Sequence, residues 1–213
     1  MGDRKFKFYA LKLSMFLIIV FIFQLFMPNF TESFILNENS WNEPWRFLTA
    51  MFLHGSIGHL VLNLFALLLF GSILEKFIGG NRMLGVFLLT GLLANLIGVN
   101  FYSSSLGASG AIFGVIGALI IIRPLMPVWA FGMPLPIFVA GILWIGADLL
   151  GAYGFFIGNP IDNAGNIAHL SGILFGFAFG WFYRRKINRR NKKRTRVIIE
   201  ENSMRNWEDN YLR

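Results

Sequence analysis

Six apolar runs, separated by short polar or charged stretches, set the pattern of this chain. They cover roughly 9–27, 57–74, 83–101, 109–122, 135–152 and 166–183. Five of them are about as long as an α-helix must be to cross some 30 Å of hydrocarbon. The fourth is not. Ser109 to Ile122 is 14 residues, or about 21 Å of helix. To meet it, residues 102–108 must dip into the membrane as a re-entrant segment. Non-helical backbone at that depth survives only inside protein or beside water. The pattern therefore predicts an all-α, polytopic membrane protein: a bundle of six transmembrane helices with a re-entrant segment before a short fourth helix. It also places Ser109 below the membrane surface, at a helix N-terminus in a wet cavity.

Composition agrees with a bilayer as solvent. The chain is 55% hydrophobic, has 24 phenylalanines and is only 14% charged, against about 25% in ordinary globular proteins. Its 213 residues allow one multi-span domain, read as 1–183, followed by a basic tail, 184–213. The absence of cysteine excludes disulfides and thiol catalysis. Charge then sets orientation. Arg4, Lys5, Lys7 and Lys12 lie at the first end; Lys76, Arg82 and Arg123 lie in alternate loops; eleven basic residues lie from Arg184 onward. Of the 19 Lys and Arg, only Arg46 falls on the other side. The positive-inside rule places both termini in the cytoplasm of a multi-pass cell-membrane protein. The first run follows basic residues but has no small-residue cleavage site, so it reads as a retained anchor.

Small residues recur every fourth position on two runs: Gly110 and Gly114 on the fourth, Gly172, Gly176 and Gly180 on the sixth. Such rows let helix backbones approach closely. Ser109 and His169 sit at the same, outer end of these two runs, so close packing would bring hydroxyl and imidazole together. Polar groups inside a bilayer are costly and point to a site. A serine and a histidine are the minimum for a nucleophile and its base. The first turn of a helix also offers free N–H groups to a developing oxyanion. His59 and Asn63 lie four residues apart and share a helix face, where their donors can point at the same oxygen. The plainer alternatives are packing for Ser109, a backbone hydrogen bond for His169, and interhelical hydrogen bonds for His59 and Asn63. No carboxylate is clearly placed to orient His169, so a Ser–His dyad is expected. Asp148, near the end of the fifth run, and Asp162, in the loop before the sixth, are the nearest acids. The third histidine, His54, is five residues from His59, which splits the two across helix faces. No metal or other cofactor is expected.

The order His59-x3-Asn63, then Gly107-Ala108-Ser109-Gly110, then Ala168-His169-x2-Gly172-x3-Gly176 resembles the rhomboid family of intramembrane serine proteases. The resemblance covers roughly 40–183. Trp45-Arg46 resembles the family's first-loop pair, and Glu75 matches an acidic position at the inner end of the second span. The resemblance implies catalytic Ser109 and His169, with His59, Asn63 and the Ser109 N–H as oxyanion donors. Phe113 occupies a position where many relatives have tyrosine facing the histidine. It also implies a mobile cap, here 153–165, and the fifth span as a lateral gate. The implied activity is endopeptidase cleavage of transmembrane segments of other proteins, from a site opening to the outer side.

Two other classes compete. Some rhomboid-like proteins have lost catalysis and bind membrane clients; their mark is a missing serine or histidine, and both are present here. A small transporter would show internal repeats and ionisable residues along a path, and neither is visible. The basic stretch 184–196 has no interleaved aromatic residues and the tail shows no recognised nucleic-acid-binding fold, so no nucleic-acid partner is expected. The expected partners are a transmembrane substrate and the bilayer itself; the sequence leaves the oligomeric state open.

Overall fold

The computed structural model describes residues 7–130, 132–159 and 165–211. Helix α1 (Tyr9–Phe26) leads into a loop holding the short helices α2 (Phe30–Phe34) and α3 (Arg46–Thr49). Helix α4 (Ile57–Ala66) passes through one π-helical turn, Leu67–Gly71, into α5 (Ser72–Ile78). Then come α6 (Gly80–Gly98), α7 (Ser109–Ile122), α8 (Ile137–Phe156) and α9 (Asn166–Tyr211). Two small antiparallel pairs complete the fold. β1 (Leu36–Asn37) pairs with β2 (Ser104–Ser105). β3 (Pro127–Ala130) pairs with β4 (Met133–Pro136).

Among the described residues, four helices are long and apolar enough to cross a membrane: Tyr9–Phe26, Ile57–Ile78, Gly80–Gly98 and Ile137–Phe156. Their outer faces are apolar too. Phe23, Leu62, Phe65 and Leu150 are all exposed, the inverse of a water-soluble surface and the expected state against lipid. Helix α8 continues to Phe156, so the first residues of the expected cap, 153–156, are helical; 160–164, including Asp162, lie outside the described residues. Likewise α9 does not stop at 183 but continues as helix through 211.

The centre of the bundle is α7, wedged between α6 and α9. A Cβ at Gly172 would lie 2.0 Å from the Gly110 carbonyl oxygen, and one at Gly176 would lie 2.2 Å from that of Gly114. Only hydrogen fits there, so the glycine row brings the two backbones into direct contact. On the other side, Thr90 of α6 occupies the space a Gly114 side chain would need. Its hydroxyl donates to the Val86 carbonyl at 2.7 Å.

The ends of the bundle are tied by polar groups with identifiable tasks. Buried Glu75 accepts the backbone N–H groups of Lys7 and Tyr9, at 2.8 and 2.9 Å. It caps the start of α1 from another helix, supplying acceptors that the first turn lacks. Arg46 is buried in the first loop. It donates to the Ile35 carbonyl at 2.9 Å and pairs with Glu43. The Asn95 amide donates to the Phe47 carbonyl at 2.8 Å, fastening this loop to α6. These bonds fix the segment that leads into His59.

Candidate active site

Ser109 is the first residue of α7. It follows Gly107, whose φ of +125° is open to glycine but strained for any other residue. Gly107 also donates its N–H to the Ala50 carbonyl at 2.9 Å. A Cβ at this position would stand 2.7 Å from His59 Cε1. One glycine therefore allows both the turn into α7 and the seating of the His59 ring.

His169 lies in the first turn of α9, with its backbone N–H bonded to the Gly165 carbonyl at 2.9 Å. The start of that helix is steadied from the loop before α7, where the Tyr102 hydroxyl accepts the Ile167 N–H at 2.9 Å. The glycine seam then places His169 Nε2 2.8 Å from Ser109 Oγ. One turn further along α7, Phe113 stacks on the imidazole, with centroids 4.4 Å apart and planes 5° from parallel. Phenylalanine thus supplies the ring contact at this position without a hydroxyl.

The expectation that no acid is placed to orient His169 is overturned. Asp148 Oδ1 lies 3.0 Å from His169 Nδ1. The signal was present: a carboxylate within an apolar run is rarely idle. Its direction was not, because α8 is apolar on all sides and its sequence names no inward face.

His59 and Asn63 stand across a cavity of about 660 Å³ that also takes in Ser109, His169, Phe113 and Trp144. Both reach the site, but Asn63 is partly engaged: one amide N–H donates to the His59 carbonyl at 2.8 Å. The second N–H is the one left for a ligand. His54 sits behind this wall, with its ring edge-on to His59 at 5.1 Å. It is only 2% exposed, and neither ring nitrogen meets a hydrogen-bond partner. Its pKa is lowered to about 4, first by burial and then by the neighbouring His59; the Phe52 backbone opposes this without meeting hydrogen-bond geometry. His54 is therefore a neutral ring at pH 7. Among the described residues no three His, Asp or Glu side chains cluster as a metal site.

Chemically, the arrangement offers a hydroxyl, a base in contact with it, and N–H donors at a helix start, all beside an open cavity. Fold and site together define a membrane-embedded helical bundle with a half-buried serine–histidine pair. The chain belongs to the rhomboid family: residues 41–186 match the Rhomboid domain. RHOMBOID-like protein 6, mitochondrial, of Arabidopsis thaliana is 35% identical over 142 residues, 66% of this chain and 44% of that protein. Rhomboid protease GluP of Bacillus subtilis is 35% identical over 148 residues, 68% of this chain and 27% of its own length. Rhomboid protein 1, mitochondrial, of Saccharomyces cerevisiae is 28% identical over 156 residues, 67% of this chain and 43% of that protein. The matched part thus spans less than half of each of these relatives.

Proposed function

We propose that this protein is an intramembrane serine endopeptidase that cleaves transmembrane segments of other membrane proteins. The observation that carries the reading is the 2.8 Å contact between Ser109 Oγ and His169 Nε2 beside the cavity. In this mechanism His169 takes the Ser109 proton as Oγ attacks the scissile carbonyl carbon. The oxyanion is met by the Ser109 N–H, the free Asn63 N–H and the His59 ring. The imidazolium then gives its proton to the leaving amine as the C–N bond breaks. Water from the cavity, deprotonated by the same ring, releases the acyl group from Ser109.

The membrane setting follows the same reading. The protein crosses the bilayer six times, with residues 102–108 re-entrant and α7 too short to span alone. Both termini face the cytoplasm of a cell membrane, and the site opens to the outer side. A substrate helix must unwind to present its backbone, so helix-weakening residues near its outer end favour cleavage. A rigid poly-Leu span cut as fast as a glycine-containing one would count against that.

The test uses detergent-purified protein and a model transmembrane substrate, comparing wild type with Ser109→Ala and His169→Ala. Cleavage by wild type alone, with fluorophosphonate labelling lost in Ser109→Ala, is the expected result. Equal cleavage by all three sinks the proposal. A wild type that neither cleaves nor labels favours the second reading, a client-binding protein.

A further inference from the structure

We infer that Asp148 is a positioning residue for His169: its carboxylate holds the imidazole as the Nδ1–H tautomer and leaves Nε2 bare toward Ser109. The inference rests on the serine-protease reading and adds to it a third group, carried by a different helix.

Four observations converge. First, the two ring nitrogens have separate partners, Asp148 Oδ1 at 3.0 Å and Ser109 Oγ at 2.8 Å. A neutral imidazole has one donor and one acceptor. An ionised carboxylate only accepts, so the N–H must point to Asp148, and the lone pair then points to the serine hydroxyl. Second, the Phe113 stack cannot make this choice. Two near-parallel rings 4.4 Å apart restrain tilt, but a ring flipped by half a turn makes the same stack. Third, Asp148 is 7% exposed and its Oδ2 has no hydrogen-bond partner. A position needed only for packing would hold an apolar side chain, because a half-satisfied buried carboxylate is unfavourable. Fourth, the helices meet closely at this level. Gly151, one turn beyond Asp148 on α8, has no room for a Cβ, which would sit 2.2 Å from the Asn166 side-chain nitrogen. The carboxylate is thereby brought within reach of the first turn of α9.

The same geometry serves the chemical step. When Nε2 takes the Ser109 proton, the ring becomes cationic and its Nδ1–H already faces the carboxylate. Asp148 keeps its charge throughout and takes no proton.

The test reads orientation and rate separately. The chain has three histidines, so ¹⁵N-histidine NMR of detergent-solubilised protein, with His169→Ala to identify the signals, reports the His169 tautomer without any substrate. Wild type is expected to show a protonated Nδ1 and a bare Nε2. In Asp148→Asn the charge is lost and the amide can turn either its oxygen or its N–H to Nδ1, so the fixed Nδ1–H preference relaxes and the Nε2–H tautomer becomes populated. For this variant kcat falls at least about 100-fold with KM within about threefold, while the melting temperature stays near wild type. Asp148→Glu, which keeps the charge, recovers at least about tenfold over Asp148→Asn. Should the amide variant not fold, Asp148→Ser is read in the same way. Two results overturn the inference: cleavage within twofold of wild type in Asp148→Asn, or lost activity with the tautomer unchanged. A wild type that neither cleaves nor labels would break the protease reading instead, and the tautomer comparison would still decide whether Asp148 holds the ring.

Discussion

The two sides of α7 are built differently. Toward α9 the contact is backbone on backbone: Gly172, Gly176 and Gly180 lie against the carbonyls of Gly110, Gly114 and Ala118. Toward α8 the contact is through side chains, such as Ile120 against Gly141. Much of α8 is exposed, including Ile142, Leu149, Leu150 and Tyr153. The serine and the histidine straddle the first kind of contact, while Asp148 reaches the histidine from the second. A distance set by backbones is hard to perturb, because interiors at that density do not yield. One set by side chains on a sparsely packed helix can be lost without unfolding the bundle. Ser109 and His169 thus share a rigid frame, and Asp148, which meets the His169 ring, rides on the less constrained element.

The largest effect should come from breaking the seam. Gly172→Val places a side chain where even a Cβ would lie 2.0 Å from a carbonyl oxygen. Overpacking typically costs about 1–3 kcal/mol, and backbone cannot step aside, so about 3 kcal/mol or more is expected. Thermal denaturation in detergent reads this, and a melting temperature within a degree or two of wild type would refute the account of the seam.

Gly107→Ala comes next and acts on rate rather than stability. The added methyl strains a φ of +125° and presses on His59. Cleavage should fall about 100-fold to 1,000-fold, the loss expected for one oxyanion donor, with most of the folded protein retained. Unchanged kcat would detach His59 from the site.

His54 tests the wall opposite the seam through pH. Its folded pKa of about 4 lies below the ordinary value of 6.5. The unfolded chain therefore binds the proton first, and stability is full above pH 6.5 and lost as pH falls toward 4. The loss amounts to about 2–3 kcal/mol. His54→Phe removes the titration and keeps a ring among neighbours that offer no hydrogen bond. It should match wild type at pH 7.5 and melt higher than wild type at pH 4.5. Parallel pH profiles for the two proteins would contradict this.

The smallest effect is expected on the outer face of α8. Leu149 is more than half exposed, so Leu149→Ala should change stability by less than about 0.5 kcal/mol. A loss as large as that of Gly172→Val would erase the contrast between the two sides of α7.

Much of this organisation is legible in the residues. The boundaries of α7, Ser109–Ile122, coincide with the short apolar run, because Gly107-Ala108 and Arg123-Pro124 interrupt the pattern on both sides. The glycine rows at every fourth position announce a backbone-to-backbone seam, since residues four apart share a helix face. That Ser109 and His169 open their helices was also readable, and from it the meeting of Oγ and Nε2 could be expected. Trp45-Arg46 and Glu75 were singled out only by likeness to relatives. What Arg46 and Glu75 do, gathering loop carbonyls and capping α1, is visible only in the fold.

The sequence alone determined the membrane class, the short helix, the seam and the residue types of the site. Each is encoded in local spacing or in the presence of a polar group where only apolar ones are stable. Tertiary structure decided the rest. It brought Asp148 onto His169 Nδ1, set Gly107 under His59 and engaged one Asn63 donor with its own helix. The reason is rotational. On a helix facing lipid and protein at once, every side is apolar, so periodicity carries no record of which residue turns inward. Only the packing of one helix against the next fixes that angle.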